Sequence, residues 1–428
     1  MHKLTELIKQ DMQPALGVTE PGAIAFAVAK ARDYLTGEVQ NITVKLNSGM
    51  YKNAFTCGIP NSKHFGNHYA AALGAIAGRA ELGLECLAEV TDKDDELAEQ
   101  WIQADRVQIL LTEMTSTIFI QALVSNAEDD VCLTIQDAHT HITEIKHKGE
   151  VIFEQARLNS DQDGQIDQVG EPLIHQYSLA QILEYCDTVP AEEIRFVDAA
   201  YKMNMDLFYL GLESPKTTFI KYFLQDNGGE IISKDELKTA SLLCNGAIEA
   251  RVLGLNKPAM SITGSGAHGI ITTLPLYAIA KCRGLSDELL HRATMLSYLV
   301  CTYIKEYSGK LSAFCGCAIA GGTGMALGLV YLFGGRLQEL EYCLNGMGGS
   351  ITGMVCDGGN QGCTMKGVAA VQTAYQAASM AMRGIHLDPI HGINGLTPEA
   401  TMRNMGRIAS PGMVETEKTI VEIVGNKS

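Results

Sequence analysis

Residues 311–335 read LSAFCGCAIAGGTGMALGLVYLFGG, a run of 25 residues with no charged side chain and seven glycines. Such a run is long enough to span a membrane. No second span with suitable flanks accompanies it. Small residues at Cys317 and Gly321, and again at Gly324 and Gly328, are typical of a helix that packs closely against its neighbours. We therefore predict a helix buried in a protein core, and no membrane partner.

Apolar patterns along the chain predict that it folds into two parts. Short apolar stretches between residues 106 and 155 alternate with polar turns, whereas beyond about residue 191 the helical period dominates. We therefore predict an α+β protein, with a mixed α/β domain of N-terminal helices and a short-stranded sheet over 1–185, and an all-helical domain over 186–428. The polar segment 159–172 is interpreted as the connection. Predicted strands are 107–111, 118–124, 131–136 and 141–146.

Composition excludes several classes of protein. The chain has 428 residues, 33 Lys plus Arg against 49 Asp plus Glu, and a net charge of -16. It therefore lacks the basic surface that binds phosphates, and we expect no nucleic-acid partner. The 12 cysteines are too dilute for a disulfide-stapled secreted scaffold. The N-terminus lacks the pattern of a signal peptide, so we expect reduced thiols and a cytoplasmic location.

Three cysteines carry the strongest chemical signal. Cys356 and Cys363 flank the glycine-rich DGGNQG, which lets the chain curl and turn both sulfurs inward, and Cys317 lies in the glycine-rich FCGCAIAGGTG at 314–324. A zinc site would require paired spacing and a fourth ligand. We therefore predict a 4Fe-4S cluster whose three thiolates leave one iron open to substrate. Cys315 is an alternative ligand to Cys317, and packing of the thiols in a core is the alternative without a cluster.

Several motifs in order resemble the L-cysteine desulfidase family, which is related to the alpha chain of iron-sulfur L-serine dehydratases. They are PALGVTEP at 14–21, KNA with GIP at 52–60, GSGAHG at 264–269, GCAIAGG at 316–322 and CDGG with its following cysteine at 356–363. The resemblance covers nearly the whole chain. It implies an oxygen-sensitive 4Fe-4S lyase that converts L-cysteine to pyruvate, ammonia and sulfide. In it, Cys317, Cys356 and Cys363 take the positions of the cluster ligands.

One position departs from the resembling proteins. Where they usually have a cysteine before Thr-Glu-Pro, this chain has Val18, which can neither titrate nor accept sulfur. The substrate therefore stays open between L-cysteine, L-serine and a related small compound. A non-catalytic sensor or a degenerate family member is the alternative from another class. We expect a small amino acid as the ligand, and a homodimer is a candidate assembly.

The remaining site residues are predicted from their chemistry. For the base that removes the substrate's α proton, His268 ranks first, Glu20 second and Cys57 third. An anion-binding backbone nest is predicted around Gly264, Ser265 and Gly266 for the substrate carboxylate. Side chains predicted to join this substrate site are Lys52, Asn53 and Lys366.

Overall fold

The computed structural model describes residues 1–157 and 171–427 and confirms the α+β class. Most of the connection predicted at 159–172 lies outside these residues. Six strands form one sheet in the order β3-β2-β4-β5-β6-β7, and two form a ribbon, β1-β8. The strands are β1 Gln13–Leu16, β2 Asn41–Leu46, β3 Val107–Leu111, β4 Phe119–Ser125, β5 Asp130–Gln136, β6 Ile142–His147, β7 Glu150–Glu154 and β8 Pro258–Ser261.

Alternating burial fixes the register of the sheet. Ile42, Val44 and Leu46 of β2 are buried on one face, as a half-buried strand requires. β2 pairs in parallel with β3 and antiparallel with β4, and β4 to β7 continue as an antiparallel meander. The four strands predicted between residues 106 and 155 are therefore confirmed.

Helices make up most of the remaining structure. Side-chain caps begin several of them: Ser178, Asp235, Ser286 and Thr397 each accept a hydrogen bond from a backbone N–H in the first turn, which satisfies a donor that the helix leaves free. The helices are α1 Lys3–Asp11, α2 Thr19–Arg32, α3 Ser48–Ala54, α4 Asn67–Ile76, α5 Asp92–Gln103, α6 Leu179–Thr188, α7 Ala191–Ile194, α8 Asp198–Glu213, α9 Phe219–Asp226, α10 Glu236–Val252, α11 Gly266–Ile271, α12 Leu274–Arg283, α13 Asp287–Ser308, α14 Gly322–Leu332, α15 Leu337–Ile351, α16 Gly362–Ala381, α17 Pro398–Ala409 and α18 Val414–Gly425.

The uncharged stretch forms the centre of the helical half. A π-helical turn, Cys317–Gly321, leads into α14, and every residue of α14 is buried. A side chain at Gly324 would collide with the carbonyl oxygen of Ser297 on α13, so glycine permits this close approach. Within the described parts of the chain, no helix is long and apolar enough to cross a membrane. The predicted buried helix is therefore confirmed.

The ribbon corrects the prediction of an all-helical second half. β8 pairs antiparallel with β1, and Gln13 lies opposite Ser261. Its hydrogen-bond partners come from residues nearly 250 positions earlier in the chain, so no local pattern could reveal the strand.

Buried apolar side chains form two clusters. One joins the sheet to α2 and α4 and includes Val44 and Leu133. The other joins the helices from α6 to α17 and also includes Leu4 and Ile8 of α1. Helix α1 therefore packs with the C-terminal half. The division into 1–185 and 186–428 as independent domains remains a prediction.

Candidate active site

Nine of the predicted residues line one cavity. Segments from both halves of the chain contribute to it: the start of α2, the end of α3, the β8–α11 turn, the π-helical turn and the loop before α16. The predicted residues in its wall are Glu20, Asn53, Gly264, Ser265, His268, Cys317, Cys356, Cys363 and Lys366. Their roles stay predictions, but the fold brings them together.

Backbone pairing brings the two cysteine segments side by side. Phe314 and Val355 form an isolated antiparallel bridge. The amide of Cys315 donates to Met354 O at 3.0 Å, and the amide of Cys356 donates to Ala313 O at 2.6 Å. This pairing carries Cys317 to the other two cysteines, a closeness that sequence spacing could not establish.

Glycine shapes the loop between Cys356 and Cys363. Gly358 has φ of +105°, and a Cβ there would lie 2.5 Å from Lys52 O. Only glycine accepts this combination without strain. The next amide, of Gly359, donates to Asn53 O at 3.0 Å, so the loop rests on the end of α3.

A fourth thiol joins the three predicted ones. Cys315 lines the same cavity, and its Sγ lies 3.6 Å from that of Cys317. The sequence left these two cysteines as alternatives, and the structure brings both to the site. Hydrogen bonding to Cys317 and burial raise the pKa of Cys315 well above its usual value. Burial also raises the pKa of Cys363, to about 12.

The cavity wall carries four thiols, the type of ligand that an iron-sulfur cluster takes. Among residues 1–157 and 171–427, no three Cys, His, Asp or Glu side chains are close enough to hold one metal ion. A cluster differs because each thiolate binds a different iron. Thiols spread around one cavity wall therefore suit a 4Fe-4S cube, and the residues present fit that group.

Glu20 is held as a carboxylate. Its oxygens accept hydrogen bonds from Asn53 Nδ2 at 3.0 Å and Thr19 Oγ1 at 3.0 Å, and His139 Nε2 lies 3.9 Å away. Burial raises the pKa of Glu20, but His139, Asn53 and Arg251 outweigh burial and lower it to about 2. Such a group is a weak base and a strong partner for a cation.

His268 is buried, and its ring is fixed by Thr263. Oγ1 of Thr263 lies 2.5 Å from His268 Nδ1 and donates to Ile262 O at 2.7 Å. Because the hydroxyl proton is used there, we assign Nδ1–H as the donor, which leaves a lone pair on Nε2. Burial lowers the pKa of His268 well below its usual value, with help from Lys305 and Arg251. The imidazole is therefore neutral.

The residue that orients His268 has a strained backbone. Thr263 has φ of +50°, a conformation that β-branched residues rarely adopt. Its amide donates to Asp11 Oδ2 at 2.6 Å, which helps to hold the turn. Strain of this kind concentrates at functional sites.

Lys52 lies beside the cavity and does not line it. Its Nζ donates to Glu417 Oε2 at 2.8 Å, Cys356 O at 3.0 Å and Ser312 O at 3.1 Å. An ammonium group has three donors, and all three are used. The substrate-binding role of Lys52 stays a prediction; in the structure the residue fastens the segments that carry the cysteines.

The predicted anion nest is only partly available. The amide of Ser265 donates to Ile262 O at 3.1 Å. Gly266 lies behind the cavity wall, where a Cβ would approach Arg251 Nε to 2.7 Å. Lys366 lines the cavity but pairs with Asp357. Burial lowers the pKa of Lys366, yet the Asp357 hydrogen bond and the nearby thiols raise it overall.

Sequence reasoning missed three buried basic residues of the cavity. His139, Arg251 and Lys305 line it and are almost completely buried. Burial lowers the pKa of Lys305 to about 8. His139 follows β5 in a region where the sequence predicted only strands and turns, and Arg251 and Lys305 lie near the ends of helices, where basic residues are common. Only tertiary packing distinguishes them.

Val18 and Cys57 both lie beside Gly359. A Cβ at Gly359 would lie 2.7 Å from Cys57 Sγ and 3.0 Å from Val18 Cγ1. Val18 lines the cavity, whereas Cys57 is fully buried and donates to Asn53 O at 2.7 Å. Burial and the nearby Glu20 raise the pKa of Cys57 well above its usual value, so its thiol stays protonated.

Comparison with known proteins identifies the class. A model of the serine dehydratase alpha chain family matches residues 81–422. The chain belongs to this family, whose name describes lyase-type enzymes. The relationship that the motifs indicated is therefore confirmed.

Individual relatives span the chain from end to end. A UPF0597 protein of Clostridium botulinum (strain Okra / Type B1) is 40% identical over 422 residues, which cover 98% of each chain. The UPF0597 protein of Caldanaerobacter subterraneus subsp. tengcongensis is 34% identical and covers 99% of this chain and 98% of its own. That of Methanocella arvoryzae is 32% identical and covers 98% and 97%. These names state no substrate.

Proposed function

We propose that the protein is an iron-sulfur-dependent lyase that removes a β leaving group from a small amino acid, with L-cysteine as the first candidate. The products are then pyruvate, ammonia and sulfide. One observation carries the proposal: Cys317, Cys356 and Cys363 line the same cavity as a neutral His268 and an ionised Glu20.

The thiols define what the cofactor contributes. A 4Fe-4S cluster held by Cys317, Cys356 and Cys363 would supply an open iron that polarises the leaving group. Around it, Asn53 Oδ1 lies 3.9 Å from Cys356 Sγ, while the same side chain donates to Glu20. Asn53 therefore couples the position of one cluster ligand to the carboxylate.

His268 is the base in this mechanism. Its Nε2 carries a lone pair, because Nδ1 is protonated and bound to Thr263. Nε2 faces Gly316 at the cavity wall, where a Cβ would lie only 2.7 Å from it. His268 accepts the α proton of the substrate, and the electron pair of the C–H bond forms the double bond as the β substituent leaves.

Glu20 has a different role from the one predicted. A carboxylate whose pKa is about 2 is a weak proton acceptor at neutral pH. It instead binds the α-ammonium group of the substrate. Loss of the α proton and of hydrosulfide leaves aminoacrylate, which tautomerises and reacts with water to give pyruvate and ammonia.

L-Serine is the second candidate substrate. Val18 lines the cavity at the position where resembling proteins have a cysteine, and the neighbouring Cys57 keeps its proton. No thiolate is therefore supplied at that position for sulfur chemistry. Loss of water from serine requires only the base and the polarised leaving group.

A substrate comparison tests the proposal. The protein is purified and reconstituted with iron and sulfide without oxygen, and pyruvate is measured with L-cysteine and with L-serine. We expect pyruvate and sulfide in equal amounts from L-cysteine. Pyruvate from L-serine alone would select the second candidate. A reconstituted protein that forms no pyruvate from either would contradict the lyase proposal and favour a sensor or a degenerate family member.

A further inference from the structure

Arg251 is a buried cation in the wall of the cavity. It lies in the last turn of α10, and only 4% of its surface is exposed. The Nε atom packs behind Gly266, where a Cβ would lie 2.7 Å away. Because Gly266 has no side chain, the guanidinium can occupy this space.

This guanidinium has no anionic partner within the described parts of the chain. No carboxylate oxygen there lies within 4.0 Å of it, and its buried Nε has no hydrogen-bond acceptor. Arginine cannot lose its proton in a protein. A buried charge without a partner is strongly unfavourable, so the arrangement calls for an anionic ligand.

Glu20 is a candidate partner for Arg251, but its carboxylate already accepts hydrogen bonds from other residues. Arg251 lowers the pKa of Glu20 through its charge, but Glu20 is bound by Thr19 and Asn53 and forms no ion pair with Arg251. His139 cannot supply the missing anion, because it is itself a basic residue and its Nε2 lies 3.9 Å from Glu20. Among the described residues, the guanidinium of Arg251 is thus left without an anionic partner.

Arg251 lines the cavity together with Glu20 and His268. Its positive charge lowers the pKa of both groups. A ligand that reaches His268 would bring its own anion to this position.

We propose that Arg251 binds the α-carboxylate of the substrate and thereby restricts the enzyme to free amino acids. This inference rests on the proposed lyase function. It assigns the carboxylate to the Arg251 end of the cavity, the ammonium group to Glu20 and the leaving group to the side of the cysteines. A planar guanidinium binds a carboxylate through two parallel hydrogen bonds, which an ester or an amide cannot reproduce.

The test uses the anaerobically reconstituted protein and its R251Q and R251K variants. Exposed Arg79, paired with Glu81 and Glu89, provides the control variant R79Q. Turnover is measured with L-cysteine and with L-cysteine methyl ester. We expect R251Q to raise KM for L-cysteine by roughly tenfold or more and to remove the preference for the acid over the ester. R79Q should match the wild type.

Binding without turnover provides the second measurement. L-Alanine has no leaving group, and L-alaninamide also lacks the carboxylate. We expect L-alanine, but not L-alaninamide, to raise the Tm of the wild type, and R251Q to lose this shift. If circular dichroism shows that R251Q is unfolded, the R251K variant tests the proposal instead. Lysine keeps the charge but cannot form two parallel hydrogen bonds with a carboxylate, so we expect L-alanine to raise the Tm of R251K less than that of the wild type.

The outcomes separate the two proposals. Unchanged KM and unchanged acid preference in a folded R251Q that still releases sulfide would overturn the role of Arg251 and leave the lyase function standing. A Tm shift by L-alanine that depends on Arg251, without turnover of L-cysteine or L-serine, would support the carboxylate site and overturn the lyase function. A shift by inorganic phosphate but not by L-alanine would contradict the substrate carboxylate.

Discussion

The ammonium group of Lys52 lies 2.8 Å from the carboxylate of Glu417, and both side chains are almost completely buried. Lys52 also donates to the carbonyl oxygens of Ser312 and Cys356. This one lysine therefore connects α3 and α18 to both segments that carry the cysteines. Its position explains why a lysine in the KNA motif can matter without contacting substrate.

The K52M variant should lose both stability and cofactor. It leaves Glu417 buried without its cation, so we expect the free energy of unfolding to fall by about 3–5 kcal/mol. The iron bound after reconstitution should fall as well, because Cys356 and Ser312 lose their common anchor. Chemical denaturation and iron analysis measure the two effects.

Two further variants make this prediction specific. The double variant K52M/E417L removes the unpaired charge and should regain stability but not iron. Lys202, which is exposed and paired with Asp206, provides K202M as a control with wild-type behaviour. Full iron content in K52M would show that the lysine does not position the cysteine segments.

The cysteine loop should tolerate no side chain at Gly358. G358A forces alanine into φ of +105° and towards Lys52 O, so the loop must move. We expect at least about half of the bound iron to be lost, given the cost of such strain. G353A is the matched control, since a Cβ there meets nothing within 4 Å. Equal iron in the two variants would count against the loop geometry.

Thr263 should control the tautomer of His268. T263A removes the hydroxyl that accepts from Nδ1, so we expect kcat/KM to fall by roughly tenfold or more while iron content is unchanged. T263S keeps the hydroxyl and should retain activity. Nitrogen NMR of labelled histidine reports the tautomer directly, and an unchanged His268 signal in T263A would refute the assignment.

Glu20 should make stability depend on acid pH. Its pKa is about 2 in the folded protein against an ordinary value of 4.5. A depressed pKa stabilises the fold above pH 4.5, and this contribution is lost as the pH falls from 4.5 towards 2. Between pH 6 and pH 3.5 the wild type should lose about 1 kcal/mol more than E20Q. Parallel losses in urea denaturation would exclude the low pKa.

Local sequence predicted the parts of the fold and site that depend on local chemistry. The absence of charge over 311–335 was enough to predict a buried helix, and α14 confirms it. Glycines around Cys356 and Cys363 indicated a curled loop. Alternating apolar residues predicted the strands of the sheet, because burial of one face requires an apolar side chain at every second residue.

Long-range packing determined what could not be predicted. β8 depends on pairing with β1, and nothing near residue 258 records that partner. Nothing in the sequence near Arg251 and His139 shows that distant segments bury them in the cavity wall. The contacts of Lys52 could not be predicted for the same reason, since its partner Glu417 lies 365 positions further along the chain.

Cysteine-dependent formation of the cluster is the most direct test of the account. Iron, acid-labile sulfide and pyruvate formation from L-cysteine are measured on anaerobically reconstituted wild type, C317S, C356S and C363S. C244S, at a buried thiol outside the cavity, is the control. We predict about four irons per chain and turnover in the wild type and C244S, with both lost in the other three. Turnover that persists in C317S, C356S or C363S without bound iron would contradict the central claim.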